Sequence, residues 1–514
     1  MEENNENQAS LNEEKEELNN EPNDNKDKHE EVDQKDLKNK AFSGVIWKFA
    51  ERLLAQGITF VVSMLLARIL SPDDYGAVAI ITIFIMIADV FINSGFVMAI
   101  IRKKEVTEEQ LSSVFYMNLM IAVVLYAVIF FMAPLIAKLY DNEALIWLLR
   151  IIALKLPVSA YNSVQCAIVS RNMQFKKFFF ATLIGTVASA VIGIYMAYKG
   201  YGAWALIAQQ LSNLVIDTLC LMVIVRWYPK LMFSWRSIRN IFSFSTKNMA
   251  TDLTGTAFNQ LNAFVIGIKY TEADLAYYTK GQQLPNTINN TLTSAVTSVL
   301  FPAIAKVSDN METVKKAERK SLRMMSFLLF PIMVGMAMVS KEFVLVFFTE
   351  KWSNMIIFMQ LMSIDAIIGI MGAFDILTLR AIGKSNVALI LELIKKPIFL
   401  GSILIAMQYG VLPIAITSLC YSVVALLINT LAIHKYTNYN IFEKIIDCLF
   451  PIIASGIMAG CLYAFDFLPI DNIYLVLALK VIIGVIIYFT LCIITRNKTF
   501  KEMMDLSLRK LKKS

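Results

Sequence analysis

From about residue 41 onward, long apolar runs alternate with short polar interruptions, and the runs have the length of a bilayer crossing. A hydrocarbon core needs roughly 20 apolar residues per helix. Fourteen stretches meet that length: 44–70, 76–100, 113–137, 146–170, 178–198, 203–225, 240–268, 281–305, 322–340, 356–379, 387–408, 411–433, 445–466 and 472–494. Each predicts a membrane-spanning helix, numbered spans 1 to 14, of which the first, seventh and eighth carry the most charge. The interruption LARILSPDDYG (66–76) is typical: an arginine, two aspartates and a turn, then apolar sequence again.

The first 40 residues break the pattern, with 14 acidic and 6 basic residues and almost nothing to bury. Such a segment is expected to be a disordered polar tail. It lacks the basic start, apolar run and cleavage site of a signal peptide, so the chain is expected to begin in the cytoplasm. Composition agrees with the pattern: 57% of the 514 residues are hydrophobic, against the roughly 45–50% of soluble domains.

Without the tail there remain 42 Lys and Arg against 27 Asp and Glu, and they are not evenly spread. Alternate loops, at 102–110, 171–177, 226–239, 306–323, 380–386, 434–444 and the tail from Arg496, hold 27 of the cations; the intervening loops hold six. Cytoplasmic loops collect Lys and Arg, so an even number of spans with both termini inside is expected. A nucleic-acid binder would gather that charge on one soluble face; here it lies between apolar spans, and no nucleic-acid partner is expected. The six cysteines sit in or beside apolar runs without a CxxC pair, which reads as packing rather than disulfides or metal ligands.

An internal repeat adds architecture. Ala67 to Gly76 sets beside Gly267 to Ala276, aligning Ser71 with Thr271 and Asp74 with Asp274, where a hydroxyl or carboxylate can cap the next helix. GYGAWALIAQQL (200–211) pairs with QYGVLPIAITSL (408–419) in the same order. Six spans separate each pair, so both halves cross in the same direction, as in transporters built from parallel repeats. The expected fold is an all-α polytopic membrane protein of about 14 helices, with two six-helix lobes around a central cavity and two extra C-terminal helices. Its expected divisions are the tail 1–40, an N-lobe 41–225, a C-lobe 240–433, spans 13 and 14 at 445–494, and a basic tail 495–514.

LARILSPDDYGAVAI, IRKKEVTEEQLSSVFYMNL, SRNMQFKKF, VLFPAIAKVSDN and FFTEKWSNMIIFMQLMSI together resemble the polysaccharide and O-antigen flippase family of the multidrug/oligosaccharidyl-lipid/polysaccharide exporter superfamily. The likeness runs over about 41–495; the acidic tail falls outside it. It implies a two-lobed bundle of twelve to fourteen helices in the bacterial cytoplasmic membrane. Alternating access would carry an undecaprenyl-pyrophosphate-linked oligosaccharide to the outer leaflet, with membrane lipid, and a polysaccharide polymerase or other assembly proteins, as partners and no cofactor.

Ionisable residues within spans are costly and mark candidate sites. In span 1, Lys48, Glu51 and Arg52 share a helix face; Lys247 and Asp252 lie at matching depth in span 7. A pyrophosphate wants Arg for paired contacts and Lys as a point charge, which nominates Lys48, Arg52, Arg150, Lys155 and Lys247. Span 8 carries Gln282, Gln283, Asn286, Asn289 and Asn290 at helical spacing, suited to sugar hydroxyls. Glu51, Asp89, Asp252 and Asp365 are the candidates for ion coupling. Competing structural roles are snorkelling for Lys48 and Arg52, and an internal ion pair of Glu392 with Lys395 or Lys396.

An enzyme acting on a lipid-linked sugar needs a base, nucleophile or metal, yet the histidines are only His29 in the tail and His434. No GxxxxGK[ST] loop is present for ATP. Two further readings share the architecture: a cation-coupled multidrug antiporter, whose cavity should be acidic, and a flippase for the peptidoglycan lipid precursor.

Overall fold

The structure, a computed structural model, describes residue 47 and residues 54–93, 95–102 and 106–511. The expectations for the N-terminal tail and for Lys48, Glu51 and Arg52 lie outside those residues. Within the described residues, each of the fourteen expected spans overlaps a helix. α1 is Leu54–Ile69; α2 Pro72–Asn93, α3 Phe96–Arg102, α4 Glu108–Leu139, α5 Ala144–Ile152, α6 Lys155–Arg171, α7 Phe175–Tyr198 and α8 Ala203–Val225 complete the first half. α9 Trp235–Asn259, α10 Leu261–Lys269, α11 Glu272–Lys306, α12 Met311–Phe347, α13 Met355–Ala381, α14 Ser385–Ala406 and α15 Val411–Thr437 follow. α16 Ile441–Phe465, α17 Ile473–Ile494 and α18 Lys498–Leu511 close the chain.

Among the described residues, ten helical segments are long and apolar enough to cross a membrane, with α5 and α6 together making one of them. The spans that fall short are α1, described only from Leu54, and α9, α11 and α14, whose sequences hold polar or charged residues that lipid would not tolerate. The helices of spans 4 and 7 are each interrupted, at Ala153–Leu154 and at Gln260.

The repeated turn has the same local chemistry in both halves. Asp74 Oδ2 accepts from the Ser71 amide at 3.0 Å and hydroxyl at 2.7 Å, while the Asp74 amide donates to Ser71 Oγ at 3.2 Å. Two hundred residues on, Asp274 and Thr271 make the same three contacts at 3.3, 2.7 and 3.1 Å. Both are capping boxes, which satisfy amides that the first helical turn leaves unpaired. The Tyr-Gly turns also match: Gly202 and Gly410 each precede a helix with positive φ, +53° and +126°.

α2 is the hub of the packing, touching α6, α8, α9 and α10 and, along a long seam, α11. At Gly76 a Cβ would stand 2.0 Å from the Glu272 carbonyl oxygen, so only glycine permits that approach. One apolar core runs through the seam, joining Leu66, Tyr75 and Ile80 of the first half to Leu275, Phe358 and Trp352 of the second. The bundle thus has an end formed by the turns at Ser71 and Thr271, the Ser71 end, and an opposite end bearing the lysine- and arginine-rich loops, the basic end.

Candidate functional site

Between the halves lies a cavity of about 750 Å³. Its walls come from α1, α2, α6, α7 and α8, the Gln260 break, and the first turns of α11. Amides and hydroxyls dominate it, including Asn93, Asn162, Gln209, Gln210, Asn213, Gln282 and Gln283. Some of these hold the wall together: Asn162 donates to Asp217 and Thr218, each at 3.0 Å, and Asn213 to Ser189 at 3.2 Å. A further recess of about 380 Å³ continues between Asp89, Asn93, Thr256 and Asn259.

Two lysines reach the cavity from opposite halves. Lys155 opens α6, just after the break in span 4, within electrostatic reach of Asp89, beside which Ser159 lies. Lys280 projects from α11, donating to Ser63 Oγ at 2.8 Å and Gln283 Oε1 at 3.3 Å, with its ammonium 4.3 Å from the centre of the Tyr75 ring. A span 8 that starts at residue 281 leaves Lys280 in the loop before it. The capping box starts the helix at Glu272, so Lys280 stands eight residues inside it, about 12 Å along the axis. The Thr271-Asp274 pair was the signal that would have found it.

At the Ser71 end the cavity is walled off by contacts between the halves. Arg68 donates Nε to the Phe347 carbonyl at 3.1 Å and a guanidinium NH2 to that of Val346, closing the C-terminus of α12, where a cation is favoured. Lys351 returns two bonds, to the carbonyls of Arg68 at 2.8 Å and Leu70 at 2.6 Å. Asn142 bonds Glu272 at 2.5 Å. The motifs LARILSPDDYG and FFTEKW, far apart in sequence, form one seal.

The other nominated residues are dispersed. Arg150 is apart from the cavity on α5, its guanidinium 4.1 Å from the Phe130 ring and 5.1 Å from the Trp147 ring, with Nε donating to the Phe130 carbonyl. Asp252 is exposed on α9 and does not line the cavity; Lys247 is on the same helix. Asn286, Asn289 and Asn290 lie further along α11, beyond the lining. Asp365 is on α13, near Ser422, with one oxygen buried and unbonded. Glu392 and Lys395 form the internal pair, at 2.6 Å.

Comparison with known proteins supplies the class. The family described as "Polysaccharide biosynthesis protein" matches residues 65–357. The succinoglycan biosynthesis transport protein ExoT of Rhizobium meliloti is 25% identical over 465 residues, covering 90% of this chain and 94% of that protein. The lipopolysaccharide biosynthesis protein WzxC of Escherichia coli is 24% identical over 374 residues, 72% of this chain and 76% of its own. The lipid II flippase MurJ in an inward closed conformation superimposes with a TM-score of 0.70 at 16% identity, over 88% of this chain and 99% of MurJ, which establishes a shared fold. This multi-span helical membrane protein belongs to the polysaccharide biosynthesis protein family.

Proposed function

We propose that the protein is a flippase: it moves an undecaprenyl-pyrophosphate-linked oligosaccharide from the inner to the outer leaflet of a bacterial cytoplasmic membrane, by alternating access, for cell-surface polysaccharide assembly. The carrying observation is the cavity, lined by many polar side chains, with Lys155 from one half of the chain and Lys280 from the other in its walls. Its volume is that of a ligand site. Two point charges across one space suit a pyrophosphate, and amides such as Gln282 and Gln283 suit sugar hydroxyls.

The basic end faces the cytoplasm in this reading, by the bias of Lys and Arg among loops, and the termini lie there with it. The sealed Ser71 end then faces outward and the structure is a state loaded from inside. Asp89, set against Lys155, joins substrate charge to ion coupling. ExoT is named for transport in succinoglycan biosynthesis and WzxC for lipopolysaccharide biosynthesis, which supports the reading; a polymerase or other assembly proteins would act downstream. A cavity with two lysines and Asp89 runs against an antiporter for cationic drugs.

The test is movement of a fluorescent lipid-pyrophosphate oligosaccharide across proteoliposomes, for wild type, Lys155→Ala and Lys280→Ala. Loss in folded variants supports the reading. Wild type that moves no member of a panel of such lipids, yet exports small cations, would replace it with the antiporter; preference for the peptidoglycan precursor alone would replace it with that flippase.

A further inference from the structure

Away from the cavity, at the basic end of the second half, four helices enclose a layer of charge. Glu318 of α12, Asp375 of α13 and Lys444 of α16 are 1%, 0% and 0% exposed, and α15 contributes Thr430. The Lys444 ammonium donates to Asp375 Oδ1, to Thr430 Oγ1 at 3.0 Å and to the Met371 carbonyl at 3.3 Å. Thr430 in turn donates to Asp375 Oδ2 at 3.1 Å. An ammonium has three hydrogens, and all three are committed.

Nothing is left for Glu318. Both of its carboxylate oxygens are buried and neither sits in good hydrogen-bond geometry; its polar neighbours are the Asp375 carboxylate, the Thr378 hydroxyl and, more remotely, the Lys444 ammonium. The cations nearer the surface are engaged elsewhere. Arg319 and Arg323 bond Asp447 at 2.7 and 2.9 Å, Lys315 pairs with Glu443 at 2.8 Å, and the Tyr439 hydroxyl also donates to Asp447. Cys448 completes the titratable groups on the α16 side. With both acids ionised, the buried layer would hold one cation and two carboxylates, and a buried carboxylate without donors costs several kcal/mol.

We infer that Glu318 and Asp375 share a proton, making this layer a proton-binding site in the second half of the molecule. A proton on Glu318 turns it from an orphan acceptor into a donor to Asp375, which removes the surplus charge and satisfies both groups. Its departure sets two carboxylates of α12 and α13 against one another. The site therefore biases how those helices pack at the basic end, as coupling to a proton gradient requires. That coupling role rests on the flippase reading; the bound proton does not.

Infrared difference spectra between acidic and alkaline pH, taken on the purified full-length protein in lipid nanodiscs, read the proton directly. A carboxylic-acid carbonyl band that titrates in wild type and in the surface control Glu312→Gln, and is lost in Glu318→Gln, is the expected result. Glu318→Gln, a neutral isostere of the acid, should keep the wild-type melting temperature at neutral pH. Asp375→Asn, which strips Lys444 of its carboxylate, should melt lower. An unchanged band in Glu318→Gln, or a variant that melts as low as Asp375→Asn or fails to fold, overturns the site. A band that responds to sodium rather than to pH overturns it too, in favour of a metal cation. In proteoliposomes Glu318→Gln should lose the proton-gradient dependence of flipping; persistence of that dependence refutes the coupling role alone. Absence of flipping in wild type with the band present would sink the flippase reading and leave the proton in place.

Discussion

The indole N–H of Trp352 donates to the Ala67 carbonyl at 2.9 Å, with the ring fully buried. Tyr75 and Tyr277 meet that ring edge-on, with centroids at 5.2 and 6.0 Å. One side chain from the loop after α12 therefore fills the space at the end of α1, in the same layer where Arg68 and Lys351 exchange bonds with backbone carbonyls. The seal at the Ser71 end joins packing to hydrogen bonds.

Trp352→Phe should keep most of the packing and lose one hydrogen bond, about 1 kcal/mol. Trp352→Ala should cost about 3–5 kcal/mol through the space it empties. Thermal unfolding in detergent reads both. In proteoliposomes, Trp352→Ala should raise the rate at which a reagent added on the Ser71 side labels Ser63→Cys. An unaltered labelling rate would mean that the seal does not depend on this ring.

Gly76→Ala should force α2 and α11 apart, since the new Cβ meets backbone rather than a movable side chain. Gly255→Ala, with open space at its Cβ, is the matched control. Loss of folded yield and melting temperature in the first and neither in the second is expected; equal behaviour would show that the seam between the halves yields readily.

Lys280→Met retains the aliphatic stem and removes the charge. Bonds from charged groups are worth about 1.5–3 kcal/mol, so affinity for a pyrophosphate-bearing lipid should fall by roughly ten- to a hundredfold. A neutral glycolipid of the same chain length should bind as before, and Lys280→Arg should recover part of the loss. Fluorescence titration in nanodiscs decides it; equal losses for both lipids would make Lys280 structural.

Ser71→Ala and Thr271→Ala each remove a helix cap worth about 1 kcal/mol. Matched losses in thermal stability are expected, because the two turns are built alike. A large asymmetry would show that only one of the repeated turns still depends on its cap.

Much of the fold was legible because bilayer length and apolar runs are local properties. Within the described residues the apolar runs fall in helices, and the Ser71-Asp74 and Thr271-Asp274 pairs became the caps that their spacing announced. The site was legible only in part. Lys155, Asp89, Gln282 and Gln283 were nominated and do line the cavity, whereas Lys280 was passed over because the start of α11 was set too late. Arg150 has the same chemistry as a pyrophosphate ligand, yet it stacks on Phe130 and Trp147, since direction around a helix depends on which neighbours pack there.

Sequence alone determined the helical, membrane-spanning class, the capped turns at Ser71 and Thr271, and the bias of charge between alternate loops, since each follows from residues near one another in the chain. Only the tertiary structure decided that LARILSPDDYG meets FFTEKW, that Lys155 and Lys280 face one space, and that Glu318 lies buried beside Asp375. Those relationships join residues from 57 to more than 280 positions apart, and whether a charge becomes a ligand, a seal or a bound proton depends on the partners that packing brings within a few ångströms of it.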